Sequence, residues 1–514
     1  MTAGKVNTRS GLAVLIGAAM TLAACAGPST TVGESSSGVI DHAVISYPSA
    51  SQSALDPAKA VVPVDLEVLD LINGKLFQTD AKGAVQPDLA LSATPSDDLT
   101  TWTVKLRPGQ KFSDGSDLTS KDVVATFLRE KSVPGNVVSA FTNPLKTVTA
   151  PDDTTAVFTF SQPFPDFEGY TSTGVYGCVY PAGKVGDPAS FKNPVTAGRY
   201  KVASPWTGGK IQLTVNPNYW AGRPQITNLT VETITDPNSA ISQLQSGQVN
   251  FAANLPSTYV SRLDGTSGVT VGKVEAYGFF DIRMNNAKGP LSDINLRKAI
   301  SAAIDRPALV SAIFGDKDTP TSGFWPAQMA GHNPSAPTAV DLAAAKKYLA
   351  ASAYPNGTNL TLMYSDQDMP FESQAALLVQ SQLQKIGITL TMQSVDVSTL
   401  VSHLTAGTYD LNLGANAALG NIPGRLAEAA LQGGGSINAE FTGYDSAPMK
   451  ALIAKLSASS GAEAKNYQDQ IEQQFTQDAP FAVWAPRIQL VASTLPQNAF
   501  MLTGAGSVVG MLAK

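Results

Sequence analysis

Three histidines and two cysteines are the chain's strongest candidates for metal or covalent chemistry, and their spacing points away from catalysis. His42, His332 and His403 lie far apart. The sequence has no His-Glu-x-x-His, paired Cys-x-x-Cys, Gly-x-Ser-x-Gly or Gly-x-x-x-x-Gly-Lys-Ser/Thr segment. Gly504-Ala-Gly-Ser-Val-Val-Gly510 has the wrong spacing for a dinucleotide loop, and only four residues follow it. A hydrolase built from scattered Ser, His and Asp therefore has no positive support. No catalytic residue, cofactor or metal is expected. Cys178, within Val-Tyr-Gly-Cys-Val-Tyr, reads as a small buried hydrophobe. Cys25 is different, because it follows Leu22-Ala-Ala directly.

That cysteine closes an N-terminal pattern with its own chemistry. Lys5 and Arg9 form a short positive region, and Gly11 to Leu22 carries no charge. Residues 1–24 read as a signal peptide ending in a bacterial lipobox, with Cys25 lipidated as the first residue of the mature chain. A spanning helix needs ~20 apolar residues, and this run is shorter. Residues 25–37, small and polar, read as the lipidated Cys and a flexible tether that cannot bury enough surface to fold. Stable anchoring takes more than one lipid chain, so Cys25 is expected to carry two or three acyl groups on the outer face of the cell membrane. With Cys25 so used, Cys178 has no partner for an intrachain disulfide.

Composition sets the class. The 514 residues, 43% of them apolar, suffice for more than one domain with a real core. The net charge is −6; without Lys5 and Arg9 it is −8, from 33 basic against 41 acidic residues. A mildly acidic surface argues against nucleic acid and against a polybasic membrane patch. Patterning is mixed α/β. His42–Tyr47 and Thr154–Phe160 alternate as strands, and Pro63–Leu76 reads as a helix. Arg199–Val202 and Ile211–Val215 flank Thr207-Gly-Gly, a hairpin signal. Leu229–Ile234, Pro237–Gln245 and Val249–Ala253 form a strand–helix–strand unit in which Asp236-Pro237 supplies the N-cap and first-turn proline. Leu360–Met363, Phe371–Ile386 and Thr389–Ser394 form another. Helix Ser398–Leu404, strand Tyr409–Leu413 and helix Tyr467–Phe475 follow.

Within this frame several short motifs occur in order. Leu106-Arg-Pro-Gly-Gln-Lys-Phe-Ser-Asp-Gly-Ser-Asp-Leu-Thr-Ser-Lys-Asp-Val-Val-Ala-Thr-Phe127 reads as strand end, turn and helix, with Thr119 and Asp122 as cap and N3 acid. It closely resembles the signature of family 5 extracellular solute-binding proteins, which serve ABC importers. Leu55-Asp-Pro, Gln86-Pro-Asp-Leu-Ala90, Asn216-Pro-Asn-Tyr-Trp220, the Arg297–Arg306 segment and Ala479-Pro480 match further family motifs, whereas Thr196-Ala-Gly-Arg-Tyr200 is an altered one. The resemblance runs from about Leu55 to Val491. It implies a two-lobed, type II periplasmic-binding-protein-like fold of cluster C kind, with an inserted subdomain and a hinge. Lobe I would comprise 38–75, 194–282 and 490–514, the inserted subdomain 76–193, and lobe II 283–489, with crossings near Phe279–Asn285 and Trp484–Gln489. It further implies a monomer that captures a small solute, peptide-like or neutral polar, and delivers it to an ABC permease and ATPase complex. Solute sensing or partner binding without transport, and nickel-chelate binding, are the alternative readings.

The site should lie outside the carboxyl ends of the strands, between the lobes. Candidate ligand residues are Tyr47 and Gln52 after the first strand, Tyr277 and Phe280 at the hinge, Tyr364 and Asp366 after a lobe II strand, and Trp484 on the return strand. Peptide binders of the family carry Gly-Trp-x-x-Asp-x-x-x-Pro after the Tyr-Asp strand, and its Asp pairs with the peptide ammonium. Here Pro423 sets the register and Leu419 falls on that position, with no Asp or Glu between Asp410 and Glu428. A buried ammonium without a counter-charge costs several kcal/mol, on the order of 3–5. The resemblance with this departure implies a neutral or amide-rich pocket to which Asn416 and Asn421 contribute, with Arg425 available to a solute carboxylate. The lipobox yields a direct expectation: Cys25→Ala abolishes incorporation of labelled lipid and releases the protein from the membrane, and undiminished labelling contradicts it.

Overall fold

Two long strands, Thr270–Met284 and Phe481–Ser493, lie antiparallel along most of their length near the middle of a ten-stranded sheet. The computed structural model describes residues 38–48, 55–60, 62–80, 83–256, 259, 262–263, 265–315, 319–366, 369, 371–418, 420–432, 441–497, 499–502 and 508–510. The signal, Cys25, the tether, Gln52, Leu419 and most of the Gly504–Gly510 loop lie outside them. On one side of the long pair, Phe251–Ala252, Ile40–Tyr47, Ile226–Thr233, Lys210–Val215 and Tyr200–Thr207 follow in order; on the other come Leu411–Ala417, Asn359–Tyr364 and Thr389–Ser394.

Each side has a parallel centre. Ile40–Tyr47 pairs in parallel with Ile226–Thr233 and with Phe251–Ala252. Asn359–Tyr364 does the same with Thr389–Ser394 and Leu411–Ala417. Parallel neighbours need crossover connections, and the helices Pro237–Gln245, Glu372–Gln384 and Val397–Ala406 supply them. The result is a mixed α/β fold with two lobes. A separate four-stranded antiparallel sheet, Ala90–Pro95, Thr101–Leu106, Thr155–Phe160 and Leu145–Asp152, carries the helix Ser120–Ser132 on one face. Phe127, Phe141, Phe158, Phe160 and Phe167 fill the space between them as edge-on and tilted pairs.

Most elements form where the patterning places them, and the exceptions have local causes. The first helix stops at Ile72 rather than Leu76. Beyond it the Lys75 amide donates to Asp88 (3.0 Å) and the Leu76 amide to the Gly177 carbonyl (3.0 Å). Gly74 there passes so close to Ala197 that a Cβ would lie 2.9 Å from its carbonyl oxygen. The strand expected at Tyr409–Leu413 runs instead from Leu411 to Ala417, because its glycine- and alanine-rich end keeps pairing with Gly278–Met284.

The short motifs prove to be joints. Arg107 stacks 3.7 Å from the Trp220 ring centroid, and the Trp220 indole donates to Asp88 (2.7 Å). Asp122 accepts from the Thr119 amide (2.8 Å) and, across the fold, from the Ala182 amide (2.8 Å). Asp56 receives both Arg129 amino groups at 2.6 Å, a bidentate pair. Arg297 donates to the Ala479 and Asp478 carbonyls, and Arg306 to the Val483 carbonyl (2.7 Å). These two arginines hold the start of the second long strand.

Glu130 sits beneath this scaffold, 1% exposed, with no hydrogen-bond partner for either carboxylate oxygen among the described residues. Burial pushes its carboxyl well above the ordinary range, against the pull of the Arg129 guanidinium. A carboxyl raised on folding stabilises least at high pH, because the folded state must hold a proton that the unfolded state releases. Glu130→Gln removes that penalty. The variant is expected to be more stable than the parent at pH 8, with the gap closing toward pH 4. Scanning calorimetry across that range checks it; a gap independent of pH contradicts it.

Candidate functional site

The two long strands lose register over one stretch, Glu275 to Asp281. Glu275 faces Ile488 and Phe279 faces Pro486, so one strand advances four residues while its partner advances two. Proline offers no N–H to the ladder, and a second shift follows between Phe280 and Asp281. Side chains of this stretch divide between two faces. Phe280 points into an aromatic block with Trp484 (centroids 5.4 Å), Phe314 (5.6 Å) and Phe371 (5.2 Å). Tyr277, Phe279, Asp281 and Arg283 occupy the other face.

That second face carries a buried polar network. Asp281, fully buried, accepts from the Asn416 amide (2.6 Å) and lies 3.5 Å from Arg283 Nε. Arg283 also donates to the Ala415 carbonyl (2.7 Å) and to Asn412 (3.5 Å). Gly414 makes this possible, since a Cβ there would lie 2.5 Å from the Arg283 guanidinium carbon. Burial raises the Asp281 carboxyl, opposed by Arg283 and by the Asn416 hydrogen bond. The Asn416 carbonyl oxygen has no hydrogen-bond partner among the described residues.

Beyond Ala417 the chain turns toward the subdomain that contains the four-stranded sheet. Ala418 still pairs with the Tyr277 carbonyl (2.9 Å). Gly420, Asn421 and Ile422 then pack on Gly169 and Thr173, and Ile422 is buried in the apolar cluster of that opposite body. Asn421 donates to the Gln328 carbonyl (3.4 Å). Arg425 lies half-buried on the short helix Pro423–Ala427, where it acts on Glu428, Tyr170 and Tyr176. Tyr277 bridges the same gap nearer the long strands: Gly83, at φ +79°, leaves 2.2 Å between an added Cβ and the Tyr277 hydroxyl.

The remaining candidates are spread more widely. Tyr47, 3% exposed, ends the first strand beside Glu67 and Asp70, and burial followed by the Glu67 charge keeps its phenol protonated. Trp484 stays in the aromatic block with Phe280. Tyr364 is half-buried at its strand end, and exposed Asp366 accepts from the Ser373 amide (2.8 Å) at the head of the next helix. Asn416, Asn421, Arg425 and Tyr277 are thus brought to one region by Leu411–Ala427 and the long strand. Asp166, Glu428, Asp281 and Arg283 belong to that region and went unread. Asp281 and Arg283 do leave a trace, as charges at alternate positions of the otherwise uncharged run Ala276–Met284; Asp166 leaves none.

The chemistry on offer is recognition. His42, His332 and His403 each contact a threonine or a backbone carbonyl. Among the described residues no group of three His, Cys, Asp or Glu side chains is placed to hold a metal, and no helix is long and apolar enough to cross a membrane.

Comparison with known proteins agrees with this geometry. The model of bacterial extracellular solute-binding proteins, family 5 Middle, matches residues 84–433. The chain is 30% identical over 378 residues to a probable D,D-dipeptide-binding periplasmic protein of Escherichia coli, covering 71% of this chain and 72% of that one. It is 30% identical over 350 residues to a glutathione-binding protein of Escherichia coli, covering 67% and 68%. Among solved structures, the ABC transporter substrate-binding protein CtaP of Listeria monocytogenes superposes with a TM-score of 0.82 at 23% identity, over 92% of this chain and 99% of that one.

Proposed function

The chain belongs to the family 5 bacterial extracellular solute-binding proteins, and from that premise we propose that it captures a peptide-like or neutral polar solute between its lobes for an ABC permease. It is a binding protein and not an enzyme, as its family is. In this reading residues 38–75, 194–282 and 490–514 form the first lobe, 76–193 the inserted subdomain and 283–489 the second lobe. The protein works outside the cytoplasm as a monomer, held to the membrane by lipid on Cys25. The observation that carries the reading is the pair of long strands with their broken register between Glu275 and Phe279. Two strands that join both halves and slip over one stretch make a natural hinge. Solute then selects the closed population by binding it better than the open one.

In this reading the solute carries no free ammonium, since the segment after Asp410 lacks the acid its relatives use, while the acids nearby, Asp281, Asp166 and Glu428, are raised by burial. The Asn416 carbonyl oxygen is buried without a hydrogen-bond partner among the described residues, and the Asn421 amide donates to Gln328; in this reading both, with Arg425 for a carboxylate, serve the solute, and no acid lies between Asp410 and Glu428. Leu419, which replaces the family's acid, lies outside the described residues. Native mass spectrometry of the purified protein identifies the co-purifying solute class. Titration calorimetry of that peptide in free-amine and N-acetylated forms then tests the pocket. A charge-assisted hydrogen bond contributes ~1.5–3 kcal/mol, so a protein with an ammonium anchor loses tenfold or more on acetylation. Here the two forms are expected to bind within about threefold of each other, ~0.7 kcal/mol. A loss above tenfold means that another acid holds the ammonium and the neutral-pocket reading fails.

A further inference from the structure

Where the second lobe meets the inserted subdomain, the two surfaces approach through glycines on both sides. A Cβ on Gly169 would lie 3.2 Å from the Asn421 carbonyl oxygen, one on Gly420 would lie 3.0 Å from the Thr173 methyl, and one on Gly424 would lie 3.1 Å from Asp166 Oδ2. The Ser457 hydroxyl oxygen lies 3.3 Å from that same added Cβ on Gly424, so Asp166 and Ser457 meet over this glycine. Glu428, on the same stretch of chain, accepts from the Ser457 hydroxyl (3.1 Å) and acts electrostatically on Asp166. The titratable groups facing this contact are Asp166, Glu168, Tyr170 and Tyr176 from the subdomain and Arg425 and Glu428 from the second lobe. Arg425 is the one cation among them, against three acids.

We propose that Asp166 and Glu428 form a proton-taking latch: closing the subdomain onto the second lobe brings Asp166 over Gly424, beside Ser457 and the Glu428 that it holds, and the contact takes up a proton as it forms. This rests on the two-lobed capture reading and adds its regulation. The proton goes to the Asp166–Glu428 pair and comes from solvent, so nothing else is consumed. Burial, then the Glu428 charge, pushes Asp166 up to about 7, against the pull of the Gly424 amide, and burial raises Glu428 as well. On this proposal, opening returns the Asp166 carboxyl to water and toward its ordinary value. Closure therefore binds protons, and by linkage it is favoured as pH falls from about 7 toward the ordinary carboxyl range and disfavoured above. The tyrosines stay neutral throughout this window, since burial raises both. Glu168 is raised by burial alone and contributes in the same direction.

Disulfide trapping reads closure without needing the solute. In the full chain, Thr173→Cys with Gly420→Cys places two thiols across the contact, where a Cβ on Gly420 would lie 3.0 Å from the Thr173 methyl; native Cys178 is fully buried and does not compete, and Cys25 carries lipid in the reading on which the latch rests. The trapping rate under copper-phenanthroline is compared with the same pair in an Asp166→Asn/Glu428→Gln background, whose side chains mimic the protonated acids. Thiol ionisation is common to both, so their ratio isolates the latch. The neutral background is expected to trap faster than the parent at pH 8, and that advantage is expected to shrink by roughly tenfold or more as pH falls from 8 to 5.5. A ratio that is the same at both pH values, or no cross-link in either background, overturns the latch. Solute binding measured separately keeps the readings apart: a pH-independent ratio in a protein that still binds solute removes the latch alone.

Discussion

Everything about this molecule hangs on the pairing of Thr270–Met284 with Phe481–Ser493. The two strands run from one α/β half into the other, so both share a single hydrogen-bonded ladder. A regular ladder of that length would be stiff, because slipping it by one residue would turn every side chain to the wrong face. Here the ladder is regular at both ends and irregular in the middle, at Glu275–Phe279 opposite Pro486–Ile488. Arg297 and Arg306 fix the start of one strand through backbone carbonyls, and Phe280, Phe314, Phe371 and Trp484 clamp the other side of the break. Stiffness is concentrated in the halves and relieved between them.

The cleft region shows how such a fold places polar groups. Asp281 and Arg283 are buried together under Asn416, where neither would persist alone: removing one partner of a buried pair costs ~3–5 kcal/mol. The network fixes the position of the strand from which Asn416, Asn421 and Arg425 are reached. The aromatic candidates divide. Tyr277 faces the opposite subdomain, whereas Phe280 and Trp484 are 3% and 2% exposed within one lobe. At the far end of the contact Asp166 and Glu428 are both lifted by burial, and glycines at 169, 420 and 424 allow the approach.

Much of the architecture was legible from local pattern. The crossover units around Pro237–Gln245 and Thr389–Ser394 announced themselves through alternation and capping residues, since those signals arise within one element. The short motifs marked the family, and their mutual contacts explain why: Arg107, Trp220, Asp88 and Lys75 come from four separate segments and meet in one joint. The helix end at Ile72 and the strand end at Ala417 depart from the local pattern because tertiary partners decide them. Contacts across the cleft were the least legible. Asp166 lies in Pro-Phe-Pro-Asp-Phe-Glu, and nothing in that run states that it faces Gly424, which lies hundreds of residues away along the chain.

The central claim is that two lobes close on a solute about the break in the long strands. Small-angle scattering of the protein with and without the solute identified by native mass spectrometry, at a concentration that saturates binding, tests it most directly. The account predicts a smaller radius of gyration with solute, together with a higher thermal midpoint from binding to the native state alone. A scattering profile unchanged by a solute that demonstrably binds would contradict it.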